Sequence, residues 1–311
     1  MKKILSILIA ILMLCSLGSC TFDTNPSETK QIGNSTETET KQIGDSTENE
    51  TTPTETKPSD PIKKDISITE QVCFEHDGIK VTAKSITNDS IWGTGIKLLV
   101  ENNSDKDYSV SSHAVIVNNC MVSSLFSCQV AAGKKANETL YLSSSSLEAA
   151  GITNIGQIEV YFYVYDSSSY TTVYEAECTT IKTSLYDTMD TKVNDTGYEL
   201  YNKDGIRIVG KYVDESTIWG SSVLLFIENN TDQNITVSCN DMSINGFMVT
   251  SLLSSTVYKG KYTIDDITIL SSSLEENDIK SIDTIELKFH IFNSDTYKTI
   301  VDTDVIKFNA K

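Results

Sequence analysis

The side chains of this 311-residue chain that could do chemistry are seven cysteines, three histidines, two repeated glutamates and a row of tyrosines. The chain repeats itself at an offset of 127 residues, and the counterparts of His76, His113 and His290 are Lys203, Asn240 and Tyr163. No histidine position is therefore shared. No Gly-x-Ser-x-Gly, His-Glu-x-x-His or phosphate-binding glycine loop occurs, so the familiar nucleophile, zinc and phosphate signatures are missing. Glu159 and Glu286 are shared. Glycoside hydrolysis needs two carboxylates at one site, and this strand offers one shared carboxylate per copy with no visible second beside it. Ser144, Ser145 and Ser146 have no basic partner near them in sequence and suit the start of a helix. The expectation is a non-catalytic protein with no cofactor and no metal.

Of the cysteines, Cys15 and Cys20 belong to the amino end, leaving Cys73, Cys120, Cys128, Cys178 and Cys239. Cys120 and Cys128 on one extended strand would stand about 26 Å apart, too far to bridge. Cys73 and Cys178 flank the first copy, where first and last strands could meet, and are the pair a disulfide would use. Otherwise these are buried thiols acting as small apolar residues. No pair is Cys-x-x-Cys, which argues against zinc. No segment has the Asp-x-Asp-x-Asp-Gly spacing of a calcium loop.

Binding chemistry rests on aromatics. Tyr161, Tyr163 and Tyr165 share one face of an expected strand, with rings about 6–7 Å apart. A solvated row would suit stacking on sugars or on a partner surface. A packed row would only reflect the β-propensity of Tyr. The second copy has Lys288 and His290 in place of two of these rings, so such a site is confined to the first copy or has diverged in ligand. Trp92 and Trp219 stand in equivalent loops. Their retention in both copies points to packing within a shared fold, with a pair of ligand-contacting loops as the alternative.

These residues must be positioned by elements that the sequence also marks. Lys2 and Lys3 precede an almost unbroken apolar run over residues 4–14, about half of what spans a bilayer. Leu17-Gly18-Ser19-Cys20 follows. Small residues before a cysteine fit a signal-peptidase groove, and the thiol is the nucleophile that accepts a diacylglyceryl group. The segment resembles the lipobox of bacterial lipoproteins. It implies a signal peptide over 1–19, a lipid on Cys20, and anchoring at the extracytoplasmic face of the cell membrane. Losing Lys2 and Lys3 takes the net charge from −18 to −20, which argues against nucleic acid and anionic head groups as partners.

Residues 20–65 are Thr, Glu, Ser, Asn and Lys with almost no apolar side chains. An 11-residue unit recurs, Glu28-Thr29-Lys30-Gln31-Ile32-Gly33 returning as Glu39-Thr40-Lys41-Gln42-Ile43-Gly44. This composition cannot bury enough apolar surface to offset chain entropy. A disordered tether spanning about 40 Å is expected.

Beyond it, residues 77–178 and 204–305 align without a gap at 36 identities in 102 positions. That is a duplication, and each copy is long enough for its own core. Ile158, Val160, Phe162 and Val164 keep apolar counterparts in Ile285, Leu287, Phe289 and Ile291, while the alternate positions drift. Period two with one buried face is a strand. Residues 79–86, 96–100, 108–117, 121–130, 138–142 and 172–180 are further strand candidates. Asn245-Gly246 and its counterpart Asn118-Asn119 read as tight hairpins. Asn103-Ser104-Asp105 and Asn230-Thr231-Asp232 read as loops. Ser145 with Glu148 predicts one short capped helical turn. Residues 184–200 read as a polar linker carrying, at most, a first strand of the second copy. About seven short strands per copy point to a β-sandwich, with a closed barrel as the alternative.

The order of lipobox, Thr/Glu-rich tether and repeated unit, with Asp-Gly-Ile, Ile-Trp-Gly, Glu-Asn-Asn, residues 130–137 and Ser-Ser-Leu-Glu, resembles secreted or lipid-anchored proteins of Firmicutes with immunoglobulin-like domains. The resemblance covers residues 66–308 and implies location and fold, not catalytic residues. The expectation is an all-β chain with a signal peptide over 1–19, a lipid-anchored tether over 20–65, and immunoglobulin-like β-sandwich repeats over 66–185 and 186–311. It would act as a surface binding or adhesion module toward a cell-wall glycan or an envelope protein. A structural spacer lipoprotein is the alternative, and a solute-binding lipoprotein or an enzyme fits less well.

Overall fold

The computed structural model describes the backbone of residues 29–33, then residues 66–217 and 219–310. The expected signal peptide, Cys20 and the remainder of the tether lie outside the described residues. The chain is all-β. After β1 (Thr29–Gly33) come β2 (Gln71–His76), β3 (Ile79–Asp89), β4 (Gly93–Asn102), β5 (Tyr108–Val117), β6 (Cys120–Val122), β7 (Ser124–Leu125), β8 (Ser127–Val130) and β9 (Lys134–Leu142). A short helix α1 (Ser144–Ala149) leads to β10 (Gln157–Asp166), β11 (Thr172–Glu175) and β12 (Thr179–Lys182).

The second copy repeats this order with β13 (Tyr198–Lys203), β14 (Ile206–Thr217), β15 (Gly220–Asn229), β16 (Ile235–Ile244), β17 (Phe247–Met248), β18 (Ser251–Leu252), β19 (Ser254–Val257) and β20 (Lys261–Leu270). Helix α2 (Ser271–Glu276), β21 (Thr284–Asn293), β22 (Thr299–Asp302) and β23 (Ile306–Ala310) complete it.

In the first copy one antiparallel sheet runs β2-β3-β4-β9-β7. The other has β5 between β10 on one side and β6 and β8 on the other, with β11 and β12 on β10. Ile79, Val81, Ile96, Leu98, Val100 and Leu140 from the first sheet meet Val110, Val117, Ile158, Val160 and Phe162 from the second in one buried cluster. Two sheets facing one core are a sandwich, and the barrel alternative drops out. The apolar parity of β10 is the buried parity, as its alternation predicts.

Three local expectations need correction. Residues 121–130 are not one strand. Among them β6 and β8 pair with β5, but β7 crosses to β9 in the opposite sheet, which leaves Leu125 exposed. Val122 of β6, Phe126 between β7 and β8, and Cys128 of β8 are all buried at even spacing, so the alternation survives the breaks and hides them. Residues 172–180 likewise split into β11 and β12 around buried Ala176. Helix α1 is capped by Ser143 rather than Ser145, the Ser146 amide donating to Ser143 Oγ at 3.2 Å. Strand β2 was not foreshadowed, because only Phe74 of its six residues is buried.

The turns match their chemistry. Asn118 and Asn119 have φ of 49° and 70°, and Asn245 and Gly246 have 51° and 85°. Two successive left-handed residues make the turn that follows strand twist. The repeated Glu-Asn-Asn motif has a packing reason. Asn102 is fully buried and donates to the carbonyls of Lys106 (2.7 Å) and Val130 (2.9 Å). Asn229 does the same to Gln233 and Val257, both at 2.8 Å.

Residues 184–197 are not a free linker. Asp190 accepts from the amides of Thr153 and Asn154, both at 2.7 Å, and those contacts outweigh its partial burial to hold its carboxyl below the usual range. The copies join through sheet pairing. Strand β6 runs parallel to β20, Cys120 opposite Tyr262 and Met121 opposite Thr263. Val209, Phe226 and Tyr262 of the second copy belong to the core cluster of the first.

The tether is not wholly unstructured. Its residues 29–33 form β1, which pairs antiparallel with β14 (Thr29 opposite Asp214, Gln31 opposite Tyr212) and then with β23 (Ile32 opposite Ala310, Gly33 opposite Asn309). Chain entropy is offset here by backbone hydrogen bonding along an edge, a gain that side-chain composition does not report.

Candidate functional site

The expected Tyr row divides. All three side chains leave the outer face of β10, opposite the core, and all three are half-buried. Tyr161 packs edge-on against Tyr258 of the second copy, ring centres 4.8 Å apart. It belongs to the junction between copies, and burial raises its phenol pKa. Tyr163 and Tyr165 instead form a ladder. His113 stacks on Tyr163 at 4.0 Å, Tyr165 follows at 5.8 Å, and Tyr170 caps the row at 6.3 Å.

Tyr170 sits on the hairpin between β10 and β11. Asp166 builds that hairpin by accepting from the amides of Ser168 and Ser169, both at 2.9 Å. Those two amides hold the Asp166 carboxyl below the usual carboxylate range. Tyr170 is 79% exposed and has φ of 57°, a left-handed conformation that disfavours an aromatic residue.

The second copy carries a shorter aromatic row at the equivalent positions, so of the two expectations confinement to the first copy fails. His290 lies 5.3 Å from Phe292, and Phe292 stacks on Tyr297 at 6.2 Å. Tyr297 is again 79% exposed with φ of 58°. Asn293 takes the role of Asp166, accepting from the amides of Asp295 (3.0 Å) and Thr296 (2.7 Å). Asp302 contacts His290 Nδ1 at 2.6 Å. Counting tyrosines missed this site. Counting rings at the paired positions, with Tyr170 and Tyr297 identical, would have found it.

Trp92 and Trp219 do not pack into the shared fold as expected. They are 56% and 65% exposed, at the tips of the β3–β4 and β14–β15 hairpins. Asp89 accepts from the amides of Ile91 (2.8 Å) and Trp92 (3.0 Å), which shapes the tip. Trp92 meets Tyr141 at 6.0 Å. Leu125 pairs with Tyr141 across β7 and β9 and is exposed, as is its counterpart Leu252. Exposed apolar side chains thus recur at three equivalent places in the two copies. The structure brings neither Trp to the tyrosine ladders in any contact.

The groups considered for catalysis are engaged elsewhere. Glu159 pairs with Lys261 at 2.5 Å across the junction, and Glu286 pairs with Lys307 at 2.7 Å. His76 stacks on Tyr174 at 3.9 Å. Cys73 and Cys178 are free thiols. The first and last strands do meet, Thr179 Oγ1 donating to the Cys73 carbonyl at 2.8 Å, but the Cys178 side chain is hydrogen-bonded to Tyr161 on the outer face. Burial pushes the thiols of Cys73, Cys128 and Cys239 up to about 11 and that of Cys120 to about 12. Among the described residues no group of three His, Cys, Asp or Glu side chains could hold a metal ion.

A cleft of about 440 Å³ lies between the copies, lined by Ser123, Ser145, Ser146, Thr256, Asp265 and Asp266 among others. Neither Trp lines it. Burial raises the Asp265 carboxyl, and a hydrogen bond from Ser255 partly opposes the shift.

No family model matches the chain, and no curated protein does. Among solved structures it is similar to the Salmonella enterica SafA pilin in complex with the SafB chaperone, at 13% identity and a TM-score of 0.21, over 69% of this chain and 88% of that one. A TM-score this low carries no argument, and function rests on the residues themselves.

Proposed function

We propose that this chain is a lipid-anchored, extracytoplasmic binding module without catalytic activity, built from two tandem immunoglobulin-like domains that present aromatic ladders to an envelope component. The observation that carries the reading is the left-handed Tyr at the end of each ladder, Tyr170 and Tyr297. A glycine would fit both positions at lower conformational cost. Keeping an exposed aromatic there in both copies is backbone strain at a displayed ring, the arrangement found at recognition sites. The leader and Cys20 supply the anchor, and the net charge of −18 argues against nucleic acid.

The test is co-sedimentation of the unlipidated chain (Cys20→Ser) with isolated cell walls. Its comparison is a variant carrying Tyr163→Ser, Tyr165→Ser, Tyr170→Ser, Phe292→Ser and Tyr297→Ser, with folding checked by circular dichroism. Pelleting of the parent alone supports the reading, and walls stripped of protein then separate glycan from protein ligands. Equal behaviour of both chains overturns it. The spacer reading draws on the β6–β20 pairing that ties the copies together, and it is the one left standing if neither chain pellets.

A further inference from the structure

The strand β1 occupies a place in the second copy that the first copy fills from its own chain. In the first copy Ile68 bridges Thr183. In the second, Ile32 pairs with Ala310, and Ala310 is the counterpart of Thr183 at the offset of 127. The local segment that should have filled this edge is residues 193–195, the counterpart of 66–68. It is drawn elsewhere. Val193 packs against the core of the first copy, Asp195 accepts from Arg207 at 2.7 Å, and the Asn194 carbonyl takes Lys211 Nζ at 2.8 Å. Strand β13 begins only at Tyr198, opposite Gly210, and β1 takes up the pairing of β14 from Tyr212 onward. The duplication therefore left one sheet edge of the second copy without its own strand, and a tether segment from more than 150 positions away covers it.

That segment exists twice. Residues 28–33 and 39–44 are both Glu-Thr-Lys-Gln-Ile-Gly. Pairing along an edge is made by backbone groups, with side chains setting specificity, so an identical hexapeptide meets the same edge with the same local free energy. Linker length does not exclude the second copy. With it docked, residues 45–65 still span about 70 Å when extended, several times the radius of gyration of about 18 Å for roughly 245 folded residues.

We propose that the edge formed by Tyr212–Asp214 of β14 and by Asn309 and Ala310 of β23 is a strand-docking slot shared by the two hexapeptides of the same chain, the second exchanging with the first. With Cys20 anchored as proposed above, the exchange changes the free tether before the slot from residues 21–28 to residues 21–39. Its extended reach grows from about 27 Å to about 65 Å. The slot is then a two-position coupling that sets how far the second copy stands from the membrane. The docking itself does not depend on the lipid.

The test is amide hydrogen exchange on the full chain carrying Cys20→Ser. A first variant, Gln31→Pro with Ile32→Pro, removes two backbone donors from the first hexapeptide. The slot amides at 212–214 and 309–310 should stay protected, and amides at 40–44 should slow by about tenfold or more. Adding Gln42→Pro and Ile43→Pro should free the slot amides. A synthetic Glu-Thr-Lys-Gln-Ile-Gly peptide should then restore their protection, which shows that the rest of the fold persists. Free slot amides in the first variant, with no slowing at 40–44, overturn the proposal. So does protection at 40–44 that grows with protein concentration and accompanies a dimer in sedimentation velocity, because the strand then comes from another chain.

Discussion

Glu159 Oε2 and Lys261 Nζ lie 2.5 Å apart across the junction of the two copies, with only 14% and 15% of their side chains exposed. Lys261 also donates to Asn119 Oδ1 at 3.0 Å. The pair sits beside the β6–β20 pairing and the Tyr161–Tyr258 contact, so charge, backbone and rings converge on one joint. Glu159→Gln leaves the ammonium largely buried with neutral partners only. It should destabilise the chain by about 1–3 kcal/mol. In a double-mutant cycle with Lys261→Met, measured by urea unfolding, the coupling should be about 1 kcal/mol. Additive losses would mean that the two groups do not interact in solution.

The aromatic tips predict a trade of stability against binding. Tyr170→Gly and Tyr297→Gly each relieve a left-handed aromatic residue. Each should stabilise the fold by about 0.5–1 kcal/mol, less whatever stacking on Tyr165 or Phe292 is lost. Both should weaken wall binding in the sedimentation assay. Thermal unfolding and sedimentation on the same samples check the pair of effects. A variant that binds as well as the parent and is more stable would show that the rings serve nothing displayed.

Asn102 and Asn229 predict the opposite pattern, a loss with no effect on recognition. Asn102→Ala removes the side-chain donor to the Val130 carbonyl in the core and leaves the Lys106 carbonyl with Ser104 Oγ alone, at 3.2 Å. A loss of about 2–4 kcal/mol is expected in chemical denaturation, from unsatisfied polar groups plus a small cavity. Asn229→Ala should cost about the same, since its partners are equivalent. Asn103→Ala, next in sequence but exposed, should change stability by about 0.5 kcal/mol or less.

Asp265 predicts a pH dependence whose sign follows from burial. Burial raises its folded pKa above the ordinary carboxylate value, so the folded chain holds this proton more tightly than the unfolded chain. Its contribution is therefore most favourable below the ordinary carboxylate range. It declines as pH rises from that range through the raised value, and the cost remains at neutral pH. Asp265→Asn should raise the melting temperature at pH 7 by about 2–4 °C if about 1 kcal/mol of that cost is removed. Near pH 3 the gain should vanish. Calorimetry at the two pH values decides it, and an equal gain at both would place the effect in packing rather than in charge.

Several features were readable from residues alone. The duplication is written in matched positions. Strand β10 follows from alternation, because one face of it meets the core from Ile158 to Val164. The hairpins follow from Asn118-Asn119 and Asn245-Gly246, since few residues accept left-handed backbone. The fate of Trp92 and Trp219 was not readable, because retention of a residue looks the same whether it packs inward or is displayed. The ladder on the second copy was hidden by the changes from Tyr163 to His290 and from Tyr165 to Phe292, which alter identity and keep a ring.

What the sequence by itself determined is local: which segments are strands, where they turn, which face of each is apolar, and that the unit occurs twice. Tertiary structure alone decided how the units meet and which strand closes the second one. Glu159 finds Lys261, Tyr161 finds Tyr258, and β1 finds β14 and β23 through surface and backbone groups. The hydrogen-bonding capacity of a sheet edge is the same for nearly every side chain. A polar tether segment such as Thr29–Gly33 can therefore complete a fold without any period in its sequence to announce it.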